Sequence, residues 1–251
     1  MRSSNLWNGV VGFWSATAGP SGFRLLDRSG RNNHGTFTSN MVSTDWSADS
    51  GRWSTLHSGT QGNGKQIRTG YLIPTTNFTA VIWAKMTSAG SVFHRPFGDA
   101  AETTGLSGVS LIFGFPFSSS VYGVFRQGSN VSSGDVSTSA SFQNEVALWT
   151  VQMSANDGAS VWKNGVRLAV NGTYKSITQT GQGWCLGGSG SESFFTGNIY
   201  ESIIWDRVLT ATEQRQLYQI GIGGMLTPRR RRKAYSVATG LRRRLLLTGQ
   251  V

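Results

Sequence analysis

Side chains able to do chemistry are sparse in this chain. Three histidines, one cysteine and 12 acidic residues are spread over 251 positions. His34, His57 and His94 lack the i, i+4 spacing that lets the two imidazoles of an H-E-x-x-H helix share one metal. No G-x-S-x-G stretch presents a nucleophilic serine on a sharp turn. Gly59-Thr60-Gln61-Gly62-Asn63-Gly64-Lys65-Gln66 has the glycines and lysine of a phosphate loop. Gln66 stands where the magnesium-binding hydroxyl belongs, however, and no buried strand and helix flank the stretch, so it reads as a β-turn loop. Asp27 begins a turn-rich segment running to Gly35, and the next carboxylate is Asp45. Calcium takes several oxygen ligands, carboxylates prominent among them, so Asp27 reads as an Asx turn in preference to a metal ligand, and His34 as a structural histidine. No cofactor and no metal are implied. A lone Cys185 forms no internal disulfide and is expected to be a small buried apolar group.

Aromatic rings are the better binding candidates. Trp46, Trp53, Tyr71, Tyr122 and Trp184 could present a face to a sugar ring, with neighbouring amides bonding its hydroxyls. The competing reading is that such rings fill a large core, the commoner fate of big apolar side chains. Both stay open at this level.

The net charge of +11 is unevenly placed. Eight of the 23 basic residues and none of the 12 acidic ones lie in residues 226–251, which leaves 15 against 12 in the first 225. The basic ones are Arg229, Arg230, Arg231, Arg232 and Lys233, then Arg242, Arg243 and Arg244, followed at once by Leu245, Leu246 and Leu247. A basic run is commonly a solvated or nucleic-acid-binding arm. Three leucines at its tip would be an exposed apolar patch unless buried, which favours docking on protein over nucleic acid. The opening residues lack the apolar centre of a signal peptide, and no run is apolar and long enough for membrane insertion, so the chain is expected to be made in the cytoplasm.

The elements that must carry these residues are mostly strands. Thirty-three glycines and nine tryptophans fit many short strands joined by tight turns. Phe78 to Met86 alternates as a strand; Val109 to Phe117 with Val121 to Phe125 suggests a hairpin. Ser129 to Ser141 reads as a loop or exposed edge, and Gly181 to Gly190 as turns around Trp184-Cys185-Leu186. Trp149 onward forms a ribbon turned at Asn156-Asp157-Gly158 and again at Asn164-Gly165. Ile199 to Trp205 predicts a central strand with Ile199, Glu201, Ile203 and Trp205 on one face and Tyr200, Ser202 and Ile204 on the other. Thr210 and Glu213 form a capping box for a helix over Ala211 to Tyr218, stopped by Gly221.

Gly197, the strand ending Trp205-Asp206-Arg207, Leu209 and the capped helix resemble the close of a laminin-G-like (concanavalin A-like) domain. Val10 to Trp14 with Asp27 to Gly35 resembles its opening, Phe78 to Lys85 a middle strand, and Trp149 to Gly165 a late hairpin. The resemblance implies an all-β fold: a two-sheet antiparallel jelly-roll sandwich with one short C-terminal helix, here over residues 1–224, plus an extended basic arm over 225–251. It also implies that Val10 to Trp14 pairs with Ile199 to Trp205. For function it is unspecific, because the fold hosts lectins, glycosidases and structural modules. The resembled hydrolases use Glu-x-Asp-x-x-Glu; here Ile203 follows Glu201 where the Asp belongs, and Asp206 is expected on the opposite strand face. Catalysis is therefore not expected.

A sandwich followed by an arginine-rich arm also resembles structural proteins of tailed phages. That resemblance implies a virion structural or decoration protein, its arm gripping other virion proteins or copies of itself, its sandwich free of catalysis and displayed toward host-surface glycans. The alternative is a carbohydrate-binding module whose basic tail binds an anionic polymer or nucleic acid.

Overall fold

The computed structural model describes residues 6–38, 40–49, 51–58, 64–74, 76–87, 94–99, 108–113, 120–126, 136–172, 183–189 and 193–226. The strands are β1 (Val10–Ser15), β2 (Arg24–Leu25), β3 (Gly35–Phe37), β4 (Trp46–Asp49), β5 (Arg52–His57), β6 (Ile67–Arg68), β7 (Phe78–Met86), β8 (His94–Asp99) and β9 (Gly108–Phe113). They continue as β10 (Ser120–Arg126), β11 (Val136–Ser139), β12 (Val146–Ser154), β13 (Gly158–Lys163), β14 (Val166–Asn171), β15 (Trp184–Leu186), β16 (Gly188–Ser189), β17 (Ser193–Phe194) and β18 (Gly197–Trp205). One α-helix, α1 (Ala211–Ile220), closes the fold.

Two antiparallel sheets stack face to face. The first runs β14-β13-β12-β7-β18-β5-β4 with β1 also on β18; the second runs β11-β10-β9-β8-β15-β6-β3-β2. This is the sandwich expected from the sequence. Alternation decides what lies between the sheets: Phe78, Ala80, Ile82, Ala84 and Met86 of β7 meet Phe97, Leu111, Phe113, Val121 and Leu186 of the second sheet. The other face of the first sheet is apolar too. Val81, Trp83, Leu148, Tyr200, Ile203 and Trp205 form a second cluster there with Leu209, Leu217 and Met225.

The helix that covers this face is held largely by polar contacts. Thr210 Oγ1 accepts from the Glu213 N–H at 3.2 Å, and Glu213 accepts from the Thr210 N–H at 2.9 Å, so the capping box forms. On the buried side Leu217 is the apolar anchor beside Gln214, and at the margin Tyr218 stacks on Trp83 with ring centroids 5.8 Å apart. Thr150 donates to Gln214 (3.1 Å), Gln214 to Gln152 (3.0 Å) and Gln152 to the Leu209 carbonyl (3.1 Å), a chain that staples α1 to β12. The helix runs to Ile220, two residues past expectation, and stops at Gly221 with φ 71°. Asn164 (φ 53°) and Gly165 (φ 77°) make the β13–β14 turn, and a side chain at Gly165 would strike the α1 backbone at Arg215.

β18 is where the expected pattern needs correcting. One edge of β18 is shared: Gly197 to Ile199 pair with β5, whereas Glu201 to Trp205 pair with β1. Where the partner changes, a bulge between Ile199 and Glu201 shifts the register against β7. The extra residue reverses the alternation. Ile199 and Ile204 both enter the inter-sheet core, while Tyr200, Ile203 and Trp205 enter the outer cluster. Trp184–Leu186 is corrected as well: it is not turn but strand, paired with β6 on one side and β8 on the other. The β9–β10 hairpin and the β11 edge occur as expected; residues 114–117 of the first and 129–135 of the second lie outside the described residues. Met225 is buried and Leu226 packs beside it. The arm residues Arg229 to Lys233 and Arg242 to Leu247 lie outside the described residues.

Candidate functional site

Glu201 sits at the β18 bulge, 1% exposed. Its Oε2 accepts from the Gly223 N–H (2.8 Å) and the Ser15 hydroxyl (3.3 Å), while Oε1 has no partner. Burial pushes its pKa up to about 7, against the pull of the Gly223 and Ser15 bonds and the Arg52 charge. Such a carboxyl is a strut, closed to substrate. Asp206, beyond the strand end, is exposed beside Gly9 and bonds it through the backbone.

Above Glu201 the surface opens. The β4–β5 hairpin brings Arg52 and Trp53, the 3-10 turn Ala16–Ala18 brings Thr17, and the turn after α1 brings Ile222 and Leu226 to a groove of about 600 Å³. Trp53 is 39% exposed. Arg52 Nη1 donates to the Ile222 carbonyl at 2.6 Å, tying hairpin to turn. Ser15 links this surface to Glu201, since its hydroxyl lies 2.8 Å from that of Thr17. An exposed indole, a guanidinium and a hydroxyl around an open groove can stack on and hydrogen-bond a sugar. A smaller depression of about 280 Å³ holds Asp157, Ser160, Trp162 and Arg167. Its indole is not open: Trp162 is 7% exposed, donates to Ser160 and lies under the Arg167 guanidinium.

Of the aromatic residues singled out in the sequence, Trp53 alone lines the larger groove. Trp46 is buried against Phe37 and donates to the Gly22 carbonyl. Trp184 is buried on Phe97, with ring centroids 4.7 Å apart. Tyr71 is half-buried beside Trp14, and burial raises its phenol to about 12. Tyr122 lies in β10 opposite Ile112 and Ser137. Arg52, Thr17 and the turn after α1 were not singled out. Arg52-Trp53 directly after Gly51 was the available signal; the approach of the turn to the hairpin, 170 positions apart, had none.

The polar residues weighed for other chemistry have structural partners. Asp27 accepts from the Phe13, Ser29 and Asn33 N–H groups and the Ser29 hydroxyl, and its own N–H donates to His34 Nδ1, the expected Asx turn with its structural histidine. Lys65, from the stretch that mimics a phosphate loop, is paired with Asp45; residues 59–63 lie outside the described residues. His57 is fully buried, its Nδ1 2.9 Å from the Lys65 carbonyl and its Nε2 2.9 Å from the Thr55 hydroxyl. Desolvation lowers its pKa to about 4. Cys185 is buried, as expected. Among the described residues no three His, Cys, Asp or Glu side chains gather as a cation site, and no helix is long and apolar enough to cross a membrane.

A laminin G model, described as the concanavalin A-like lectin/glucanases superfamily, matches residues 58–213. The chain belongs to this superfamily. No curated relative matches it in sequence. Among solved structures it is similar to domain 4 of AbnA, a GH43 extracellular arabinanase from Geobacillus stearothermophilus, in complex with arabinotriose: TM-score 0.61, 16% identity, covering 84% of this chain and 98% of that one. It is also similar to the binding domain of botulinum neurotoxin DC in complex with SialylT, at TM-score 0.62, 12% identity, and 85% and 51% coverage. Trypanosoma rangeli sialidase aligns at TM-score 0.56 and 17% identity, covering 84% of this chain, which spans 33% of the sialidase. At these identities the likeness concerns the fold.

Proposed function

We propose that this protein is a non-enzymatic, lectin-like display module of a phage virion, binding host-surface glycans with its sandwich and held to the particle by its basic C-terminal arm. The observation that carries the glycan reading is the open groove around Trp53, set above a carboxyl that is closed to substrate. Two of the similar folds were solved with saccharide-type ligands, arabinotriose and SialylT, which supports the reading. The tether rests on the charge segregation in the sequence: a nearly neutral sandwich followed by eight basic residues and a leucine tip. Arginine suits such a grip because its planar fork pairs bidentately with carboxylates of other virion proteins or further copies of this chain, and stays charged when partly desolvated.

The test compares the full chain with a chain ending at Leu226 for retention on a glycan array and for incorporation into particles. The proposal expects equal glycan retention and lost incorporation. Unchanged incorporation would remove the tether. A second reading, a free carbohydrate-binding module whose tail holds an anionic polymer or nucleic acid, is favoured by the same charge segregation. It expects affinity for DNA to fall steeply with salt, with a slope tracking the phosphates neutralised.

A further inference from the structure

We infer that the groove takes a carboxylated sugar, with the Trp53 ring under the pyranose and the Arg52 guanidinium on the carboxylate. The inference rests on the glycan-binding reading above and gives it a site and a ligand class. Among the described residues, those lining the groove include one cation, Arg52, and no Asp or Glu. The nearest hairpin carboxylate, Asp49, is taken by Lys85 and the Tyr200 hydroxyl. Glu201 lies below the surface, covered by Gly223. Among the described residues, an anion entering the groove therefore meets a positive charge and no exposed negative one lining it.

The geometry of Arg52 suits a planar anion. A guanidinium carries five N–H donors in a fixed fork. One of them is spent on the Ile222 carbonyl, which fixes the plane of the group and leaves donors for a bidentate pair with a carboxylate. Trp53 is the next residue in β5 and supplies an apolar face whose Nε1 edge lies near Gly19. Ile222 and Leu226 form the facing wall, against which the C–H side of a sugar ring or a short acyl substituent can pack, and Thr17 offers a hydroxyl. A volume of about 600 Å³ admits one or two sugar rings.

The experiment is calorimetric titration of the full chain with sialyllactose and digalacturonate, each beside its carboxyl-reduced twin, and with neutral oligosaccharides. The expected result is that an acidic sugar binds at least about 10-fold more tightly than its reduced twin, the loss of one charge-assisted pair. Trp53→Ala should weaken both twins. Arg52→Gln should erase the difference between them; because it also removes the bond to the Ile222 carbonyl, its melting curve is recorded beside the parent's so that lost preference is read on folded protein. Equal affinity for acid and reduced twin, or an unchanged preference in folded Arg52→Gln, would overturn this inference and leave glycan binding standing. Absence of binding to every sugar, acidic and neutral, would overturn both.

Discussion

Glu201 and His57 titrate in opposite senses. His57 is held near pKa 4, below its ordinary 6.5, so between those values the unfolded chain binds a proton that the folded one refuses, and stability is lost as pH falls. Glu201 is held near 7, above its ordinary 4.5, so its contribution is whole below 4.5 and is lost as pH rises through 7. Glu201→Gln cannot ionise. Between pH 5 and 8 the parent should lose about 1–3 kcal/mol relative to this variant, judged from a shift of some two units at 1.36 kcal/mol each. Parallel denaturation curves for the two proteins across that range would refute the assignment. At this scale much was legible. Asp27, His34 and Cys185 take the roles their local sequence suggests, because an Asx turn closes within a few residues. The orientation around Glu201 was not legible: the bulge exists because two distant strands share one edge of β18, which no local alternation records.

Local signals settled the elements that close on themselves. Thr210 and Glu213, three residues apart, cap α1 as read, and Asn164-Gly165 turns the β13–β14 hairpin. Trp184–Leu186 escaped notice because three residues between glycines carry no alternation; pairing with β6 and β8 makes them a strand. Two substitutions weigh these devices. Thr210→Ala should cost about 1 kcal/mol, the usual worth of an N-cap, measured by denaturant unfolding. Gln214→Ala should cost more, about 1–3 kcal/mol, because Thr150 and Gln152 would be left buried with lost partners. If Gln214→Ala proves as mild as a surface change, the staple between α1 and β12 carries little. Gly187 (φ 80°) is a severe position: an added Cβ would lie 1.9 Å from Nδ1 of the buried His57, so Gly187→Ala should fail to give soluble folded protein.

For the molecule as a whole, charge and fold divide the labour. Among the described residues both faces of the first sheet are covered and the chain is packed as far as Leu226. Removing residues 227–251 should therefore leave the melting temperature within a few degrees while abolishing attachment to particles; a collapse of the fold would show the arm to be part of the core. The sandwich, the β1–β18 pairing and the helix were readable because the family motifs recur in sequence; the Trp53 groove was not, since it joins the 3-10 turn Ala16–Ala18, the β4–β5 hairpin and the turn after α1, which lie far apart in the chain. The proposed function is binding without cleavage. Its most direct measurement follows, in one incubation of the full chain with a polysaccharide panel, both the saccharide retained and the reducing ends released. Saturable retention that falls with Trp53→Ala, with no release above the blank, is expected. Steady release that Glu201→Gln abolishes would contradict it.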